Sequence, residues 1–182
     1  MREIVIPRVG GPDVLELRES ADPEPKAGEV RIRVRASGVN FADVLARMGL
    51  YPDAPPIPVV VGYEIAGVVD AVGAGVERIA IGQHVIGLCR FGGYADVVVL
   101  PQAQVFAMPQ RLSFEQAAAI PVNYLTAWLM LVELGNLKAR HTVLVHSAAG
   151  GVGQAALQIC RLVGATMLGT ASASKHERLR AL

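Results

Sequence analysis

The sequence has few of the features that mark secreted, membrane-spanning or nucleic-acid-binding proteins. Its 182 residues include only two cysteines, Cys89 and Cys160, which is too few for a disulfide framework. The formal net charge of +1 gives no electrostatic case for nucleic acid or an anionic membrane as a partner. The most apolar stretch, residues 117–134, is interrupted by proline and polar residues, so no transmembrane segment is predicted. The N-terminus lacks the apolar core of a signal peptide, and the expected compartment is the cytoplasm.

The chain divides near residue 121 into two halves with different sequence patterns. Hydrophobic residues make up 52% of the sequence and charged residues 18%, which is typical of a protein with a sizeable core. The first half has short apolar segments separated by glycine and proline, whereas the second alternates strand-like and helix-like patterns. The length suffices for one domain and part of another. We therefore predict a domain at 1–121 and an incomplete one at 122–182.

The first domain is predicted to be rich in β-structure. Apolar residues at 30, 32, 34 and 36 alternate with Arg31, Arg33 and Arg35, which indicates a half-buried strand. A solvated strand face explains these arginines better than an anion site does. The same kind of patterning predicts a short helix and three further strands, at 41–48, 64–72, 84–87 and 94–100.

Two helices are predicted to join the halves. Ser113-x-x-Gln116 forms a capping-box pattern for a helix that includes residues 117–120. Pro121 is expected to break or kink that helix, because proline cannot donate an amide hydrogen bond. A second helix is predicted at 123–134, ending near Gly135.

A glycine-rich turn is the most informative motif of the chain. Ala148-x-Gly150-x-x-Gly153 follows an apolar strand pattern at 142–145 and opens a helix with apolar spacing. Gly150 lets the backbone approach a pyrophosphate, Gly153 lets the helix pack closely, and the first amides of the helix hold the phosphate charge. A glycine-rich connector in an ordinary α/β domain is the alternative. The turn residues predicted to bind the cofactor are Ala148, Ala149, Gly150, Gly151, Val152 and Gly153.

The end of the second strand, predicted at 166–170, favours NADPH over NADH. A site for NAD usually places a carboxylate there to bind the ribose 2′-hydroxyl. This chain instead has Ser172 and Lys175, a hydroxyl donor and a cation that suit a 2′-phosphate. Ser174-x-x-Glu177 is also a capping-box pattern, and the two interpretations are compatible.

Four motifs make the chain similar to the medium-chain dehydrogenase/reductase superfamily, in particular its quinone oxidoreductase branch. They are GVNFAD at 38–43, GYEIAGVV at 62–69, NYLTA at 123–127 and HSAAGGVG at 146–153. The strings NFADVLARMGLYP, GNL and GTASASKHE most resemble the vesicle amine transport protein subfamily. The resemblance implies a GroES-like β-rich catalytic domain followed by a truncated α/β Rossmann domain, a doubly wound parallel sheet that binds NADPH.

The resemblance also separates this chain from the zinc-dependent members of the superfamily. Those enzymes have a catalytic cysteine at the position of Asn40, a histidine at that of Tyr63 and a third ligand near Val122. Amide, phenol and aliphatic side chains are not usual zinc ligands, so no metal is expected. Glu64 lies near the position of that metal, where structural hydrogen bonding is favoured over a catalytic role. A zinc alcohol dehydrogenase is therefore disfavoured.

Reduction of a quinone or an α,β-unsaturated carbonyl needs no metal, because the acceptor delocalises the charge onto oxygen. The resemblance implies that Asn40 and Thr126 act beside the nicotinamide and that Asn123 also binds the cofactor. The hydrogen-bond partner of Asn40 is one of three alternatives: the nicotinamide amide, a substrate oxygen or a water molecule. Phe41, Tyr51 and Tyr63 are candidates for the acceptor pocket. For Tyr51, an aromatic anchor of a proline-rich loop is an equally good interpretation.

The chain ends inside the second helix of the expected Rossmann domain, whereas members of the superfamily exceed 300 residues. We therefore expect a fragment that is inactive alone, whose complete form is commonly a homodimer. A second interpretation from another class is a non-catalytic nucleotide-binding or membrane-associated interaction protein of the same fold.

Overall fold

The computed structural model describes residues 1–182, which divide into two compact units, Met1–Pro121 and Val122–Leu182. Seven strands and two helices make up the first unit: β1 (Arg2–Val5), β2 (Glu16–Glu19), β3 (Glu29–Ser37), α1 (Phe41–Arg47), β4 (Glu64–Val72), β5 (His84–Leu88), β6 (Val97–Pro101), β7 (Val105–Ala107) and α2 (Phe114–Ala118). The helix predicted at 41–48 and the strands predicted at 64–72 and 84–87 are confirmed within one residue.

A five-stranded antiparallel sheet forms the centre of this unit, in the order β6-β3-β4-β5-β7. Strands β1 and β2 form a separate antiparallel pair. Because successive strand residues point to opposite faces, one face of the sheet is apolar and buried. The largest cluster of buried side chains on it includes Val30, Ile32, Ile65, Val69, Val85 and Leu100. This arrangement confirms the predicted GroES-like β-rich domain.

The other side of β3 is ion-paired as well as solvated. Arg31 Nε and Arg33 Nε donate to the two carboxylate oxygens of Asp70 on β4, at 2.9 and 2.6 Å. Asp22 accepts from Arg33 at 2.6 Å and also pairs with the N-terminal ammonium group at 2.8 Å. The predicted solvated face is therefore also ion-paired at Arg31 and Arg33, whereas Arg35 lies over the Phe114 ring at 5.5 Å.

The strand expected at 94–100 begins three residues later, at Val97. Residues 94–96 pair instead with the first strand: the amide of Ile4 donates to the Tyr94 carbonyl and the amide of Asp96 to the Arg2 carbonyl, at 2.8 and 2.9 Å. Alternation alone does not reveal this change of partner, because both partners are strands.

The second unit is a β-α-β arrangement preceded by a helix. Its elements are α3 (Pro121–Trp128), which begins at the unit boundary, a π-helical segment (Leu129–Leu134), β8 (Thr142–Val145), α4 (Gly151–Val163), β9 (Thr166–Gly169), a 3-10 turn (Ala173–Lys175) and α5 (His176–Ala181). Strands β8 and β9 are parallel and in register from Thr142–Thr166 to Val145–Gly169. This is the predicted first part of a Rossmann fold.

Helix α4 forms because its apolar residues recur at helical spacing and cover one face. The buried side of α4 packs with α3 and the loop after it in a cluster of Ala127, Leu137, Ala155, Ala156, Ile159 and Cys160. Gly164 ends the helix with a φ of 81°, a left-handed conformation that glycine adopts at little cost. Cys160 is a buried free cysteine in this cluster.

Helix α2 ends at Ala118 and α3 begins at Pro121, which confirms the predicted break, and the capping box from Ser113 to Gln116 is formed. The helix predicted at 123–134 is only half α-helical, because residues 129–134 are wound as a π-helix. Residues 114–134 together are long and apolar enough, by length and composition alone, to cross a membrane, a test that core helices also pass.

Candidate functional site

Two short segments of the first unit, residues 38–43 and 62–64, are tied together by a buried carboxylate. Asp43, on the first turn of α1, is only 4% exposed. Its Oδ2 accepts from the amide of Asn40 at 2.8 Å, and its Oδ1 accepts from the amide of Gly62 at 3.1 Å. The Tyr94 hydroxyl donates to Oδ2 at 2.9 Å. Because both oxygens are bonded, the backbone on either side of the site is fixed.

A second buried carboxylate orients the side chain of Asn40. Glu64 is 1% exposed, and its Oε1 accepts from Asn40 Nδ2 at 2.9 Å. Gly38 makes room for Glu64, since a Cβ at that position would lie 2.6 Å from the Glu64 Cδ. A carboxylate only accepts hydrogen bonds, so the amide nitrogen of Asn40 faces Glu64, and the Asn40 side chain also takes part in the capping box with Asp43 at the start of α1. The structural hydrogen bond predicted for Glu64 is therefore present.

Three aromatic rings cluster at Tyr63. The ring centroid of Tyr63 lies 5.3 Å from that of Phe91 and 6.4 Å from that of Tyr51, the latter in an edge-on arrangement. Tyr51 also packs against the buried cluster of Ile6, Ala46 and Val61, which fits the interpretation of an aromatic anchor. Phe41, the third candidate for the pocket, is 74% exposed at the first position of α1.

The polar side-chain groups that could bind a metal at this site are an amide, two carboxylates and phenols. No group of three His, Cys, Asp or Glu side chains with the spacing of a metal site occurs in the structure. Cys89, the cysteine of this unit, is buried. Burial raises the pKa of its thiol to about 12, with a further contribution from the charge of Glu64. Cys89 is thus a protonated, apolar side chain at neutral pH.

In the second unit, the glycine turn has the geometry of a phosphate cradle. The first hydrogen bond of α4 runs from the amide of Gln154 to the carbonyl of Gly150 at 2.9 Å, so the amides of residues 151–153 have no acceptor within the helix. Gly150 and Gly151 are exposed. A Cβ at Gly153 would lie 2.6 Å from the backbone of Ala148, which explains the requirement for glycine. The turn can therefore accept an anionic oxygen.

Asn123 and Thr126 lie on one face of α3, three residues apart. The side chain of Asn123 is directed at the glycine turn, because a Cβ on Gly151 would overlap it. The structure therefore brings Asn123 together with the turn. Asn40, Phe41, Tyr51 and Tyr63 lie in the other unit.

The end of β9 carries no carboxylate and has exposed donors. Ser172 and Lys175 are both exposed, and the Lys175 amide donates to the Ser172 carbonyl at 2.9 Å. The capping box expected from Ser174 to Glu177 is wrong. A 3-10 turn occupies Ala173–Lys175, α5 starts at His176, and the Ser174 hydroxyl lies 3.5 Å from that of Ser172. Ser174 lies one residue before the N-cap of α5, Lys175, because the 3-10 turn precedes the helix.

Several residues of these two sites were not among the predicted site residues. Asp43 and Tyr94 hold the first site together, and Phe91 packs on Tyr63. In the second unit, Ser147 has a φ of 55°, and His146 Nδ1 lies 3.0 Å from Thr170 Oγ1 between the strand ends. The spacing Asn40-x-x-Asp43 is a helix-start pattern that identifies Asp43. No sequence signal identifies Tyr94 or Phe91, because their partners are distant in the chain.

Comparison with known proteins agrees with this architecture. Residues 26–110 match the alcohol dehydrogenase GroES-like domain. The synaptic vesicle membrane protein VAT-1 homolog of rat is 51% identical over 183 residues, covering 99% of this chain and 45% of the rat protein. The chain spans about half the length of the curated relatives it matches.

Two solved structures of enzymes superpose closely on this chain. The CurK enoyl reductase has a TM-score of 0.94 at 37% identity, over 99% of this chain and 57% of the reductase. The Escherichia coli quinone oxidoreductase, solved in complex with NADPH, has a TM-score of 0.91 at 35% identity, over 100% of this chain and 56% of the enzyme. Residues 26–110 therefore belong to the alcohol dehydrogenase GroES-like domain family, and the chain has the fold of the medium-chain dehydrogenase/reductases that it matches.

Proposed function

We propose that the complete protein transfers hydride from NADPH to a quinone or an α,β-unsaturated carbonyl compound without zinc. The observation that carries this proposal is the exposed glycine turn followed by a strand end with Lys175 and no carboxylate. Such a turn holds a pyrophosphate, and the cation favours the cofactor that carries an extra phosphate. NADPH supplies the hydride when it is bound.

The residues of the second unit divide the work of binding the cofactor. The amides of Gly151, Val152 and Gly153 donate to pyrophosphate oxygens at the positive end of α4. Ala148, Ala149 and Gly150 keep the approach free of large side chains, while Ser172 and Lys175 donate to the 2′-phosphate. Asn123 and Thr126, on one face of α3, orient the nicotinamide end.

The first unit contributes the residues that bind the compound that accepts the hydride. Asn40 is held by Glu64 and by the capping box of α1, and this fixed side-chain amide forms a hydrogen bond to the cofactor or to the compound that accepts the hydride. Phe41, Tyr51 and Tyr63 provide flat apolar surface for a quinone or enone ring. An amide and a phenol at positions 40 and 63 support chemistry without zinc, because neither is a usual ligand of that metal.

The similarity to an enoyl reductase and a quinone oxidoreductase supports both acceptor classes. Hydride addition to either acceptor moves negative charge onto an oxygen atom, so orientation and hydrogen bonding suffice to promote it. We further propose that the complete protein is a cytoplasmic homodimer.

Binding of NADPH and NADH to the complete protein, measured by calorimetry, tests the cofactor assignment. K175E is expected to weaken NADPH binding at least about tenfold, the effect of losing one charge-assisted contact, and to leave NADH binding nearly unchanged. K138E is the matched control, since Lys138 is an exposed lysine of the same unit that precedes β8, whereas Lys175 follows the end of β9. Equal loss for both cofactors would contradict the assignment of Lys175.

A non-catalytic interaction protein is the second candidate, favoured by the name of the vesicle membrane relative and by exposed apolar residues on and after α3. Leu125, Leu129 and Leu134 are 53%, 52% and 76% exposed. Sedimentation with phosphatidylcholine vesicles tests this candidate. Vesicle binding by a protein that does not oxidise NADPH with any quinone or enone would favour it over the reductase.

A further inference from the structure

The Tyr63 hydroxyl is the one buried side-chain oxygen or nitrogen in the structure that has no hydrogen-bond partner. A buried polar group without a partner destabilises the fold, so such groups are rare and call for an explanation. The two buried carboxylates of this site, Asp43 and Glu64, both accept hydrogen bonds from other groups. The Tyr63 hydroxyl therefore differs from the buried carboxylates beside it.

The position of the Tyr63 hydroxyl is fixed by its surroundings. The preceding amide, that of Gly62, donates to Asp43, and the Tyr63 carbonyl accepts from the amide of Cys89 at 2.8 Å. The ring lies against Phe91 and meets the edge of Tyr51. A backbone bonded on both sides and a ring packed against two others leave the hydroxyl little freedom to find a partner within the fold.

The hydroxyl is a donor under all physiological conditions. Burial raises the pKa of Tyr63 well above its ordinary value, and the neighbouring Tyr51 phenol raises it further. A phenol that stays protonated offers one O–H group to an electron-rich oxygen. A desolvated donor of this kind stabilises negative charge more strongly than water does, because it needs no reorganisation.

We propose that the Tyr63 hydroxyl donates a hydrogen bond to the acceptor oxygen that becomes negative during reduction. The inference rests on the proposed function and names the residue that stabilises the product anion. In the step, the acceptor carbon gains the hydride supplied by NADPH, the π electrons shift to the acceptor oxygen, and NADP⁺ is the oxidised product. A proton from solvent then neutralises the oxygen, and Tyr63 keeps its own proton throughout.

Because the hydroxyl oxygen is buried, the acceptor reaches it only when the half-buried ring of Tyr51, which meets Tyr63 edge-on, turns aside while its backbone stays in place. The residues beside Tyr51, Leu50 and Pro52, are exposed and leave space for this movement. A flat ring that replaces the edge of Tyr51 retains an aromatic contact with Tyr63. The site therefore selects planar acceptors with an oxygen at the rim.

Tyrosine-to-phenylalanine variants of the complete protein test the inference. Y63F removes a hydroxyl without a partner, so its midpoint of thermal unfolding is expected to be unchanged or higher, while kcat/KM for the acceptor falls about 10- to 100-fold. Y94F removes a hydroxyl that donates to buried Asp43 and is expected to lower the midpoint. Y124F, whose hydroxyl bonds exposed Gln158, is the control for both measurements.

Binding of 4-nitrophenolate, a planar ring with an anionic oxygen, tests the inference without turnover. We expect Y63F to bind it about tenfold more weakly than the unaltered protein does, and Y124F to bind it equally well. Equal binding by Y63F, or no binding by the unaltered protein, overturns the role of Tyr63 even if the protein reduces quinones. A Tyr63-dependent affinity in a protein that reduces no acceptor would leave the anion site standing and refute the reductase function.

Discussion

The two candidate sites of this chain treat their polar groups in opposite ways. In the first unit, Asp43 and Glu64 are buried and bonded to the segments around them, which fixes the backbone on both sides of Asn40. In the second unit, Gly150 and Gly151 are exposed and the amides of residues 151–153 have no acceptor within α4. The first site obtains rigidity from its bonded carboxylates and leaves only the buried Tyr63 hydroxyl without a partner, whereas the second keeps the amides of a helix start available for a ligand. Substitution of a buried carboxylate in the first site should therefore affect stability, and substitution in the glycine turn should affect binding.

The largest effect is expected from D43A. It removes the acceptor of two amides and one hydroxyl in a buried place, so the free energy of unfolding should fall by about 3 kcal/mol or more. Urea unfolding of the complete protein measures the change. D53A, on an exposed carboxylate of the same unit, is the control and should leave stability unchanged. If D43A lowers the free energy of unfolding as little as D53A does, the buried carboxylate does not hold the first site together.

A pair of glycine variants separates packing from binding in the second unit. G153A places a methyl group 2.6 Å from the backbone of Ala148 and should cost about 1–3 kcal/mol of stability as well as NADPH affinity. G150A meets only the Ser147 carbonyl, at 3.2 Å, so it should lose less than about 1 kcal/mol. Its NADPH affinity should still fall at least about tenfold, because the methyl group faces the phosphate. Urea unfolding and calorimetric titration distinguish the two outcomes, and an unchanged affinity in G150A would show that no phosphate approaches the turn there.

A smaller effect is expected from the ion pairs of β3 at low pH. Burial alone would raise the pKa of Asp70, but hydrogen bonds from Arg31 and Arg33 outweigh it and hold the pKa below the ordinary value. A carboxyl with a lowered folded pKa stabilises the fold above its unfolded pKa of about 4, and this stability is lost as the pH falls through the folded value. D70N should therefore be less stable than the unaltered protein at pH 7, with a difference that shrinks below about pH 4. A difference that grows with acidity would contradict this sign.

The smallest effect is expected at Cys89. Because burial raises the pKa of its thiol to about 12, the thiolate that reacts with iodoacetamide is absent at pH 8 in the folded protein. Mass spectrometry should show alkylation of Cys89 only after unfolding in urea. Rapid alkylation in the native protein would mean that the region beside Glu64 opens readily.

Local patterns in the sequence predicted most of the fold. Alternation located β3 and β4, and the spacing of Ser113 and Gln116 located α2, because these signals come from neighbours in the chain. The π-helical turn at 129–134 and the pairing of residues 94–96 with β1 depend on contacts between distant residues. The candidate sites follow the same division. The glycine turn is a local motif that the sequence shows, whereas the contacts of Asp43 with Gly62 and Tyr94 join distant residues and have no sequence signal.

The most direct measurement is oxidation of NADPH by the complete protein with 1,4-naphthoquinone, before and after treatment with a zinc chelator. We expect one NADPH to be consumed for each quinone reduced, at a rate that the chelator does not change and that exceeds the rate with NADH. No oxidation above the uncatalysed rate by protein that binds NADPH would contradict the reductase function. Activity that disappears with the chelator and returns with zinc would contradict the assignment of Asn40 and Tyr63 to chemistry without a metal.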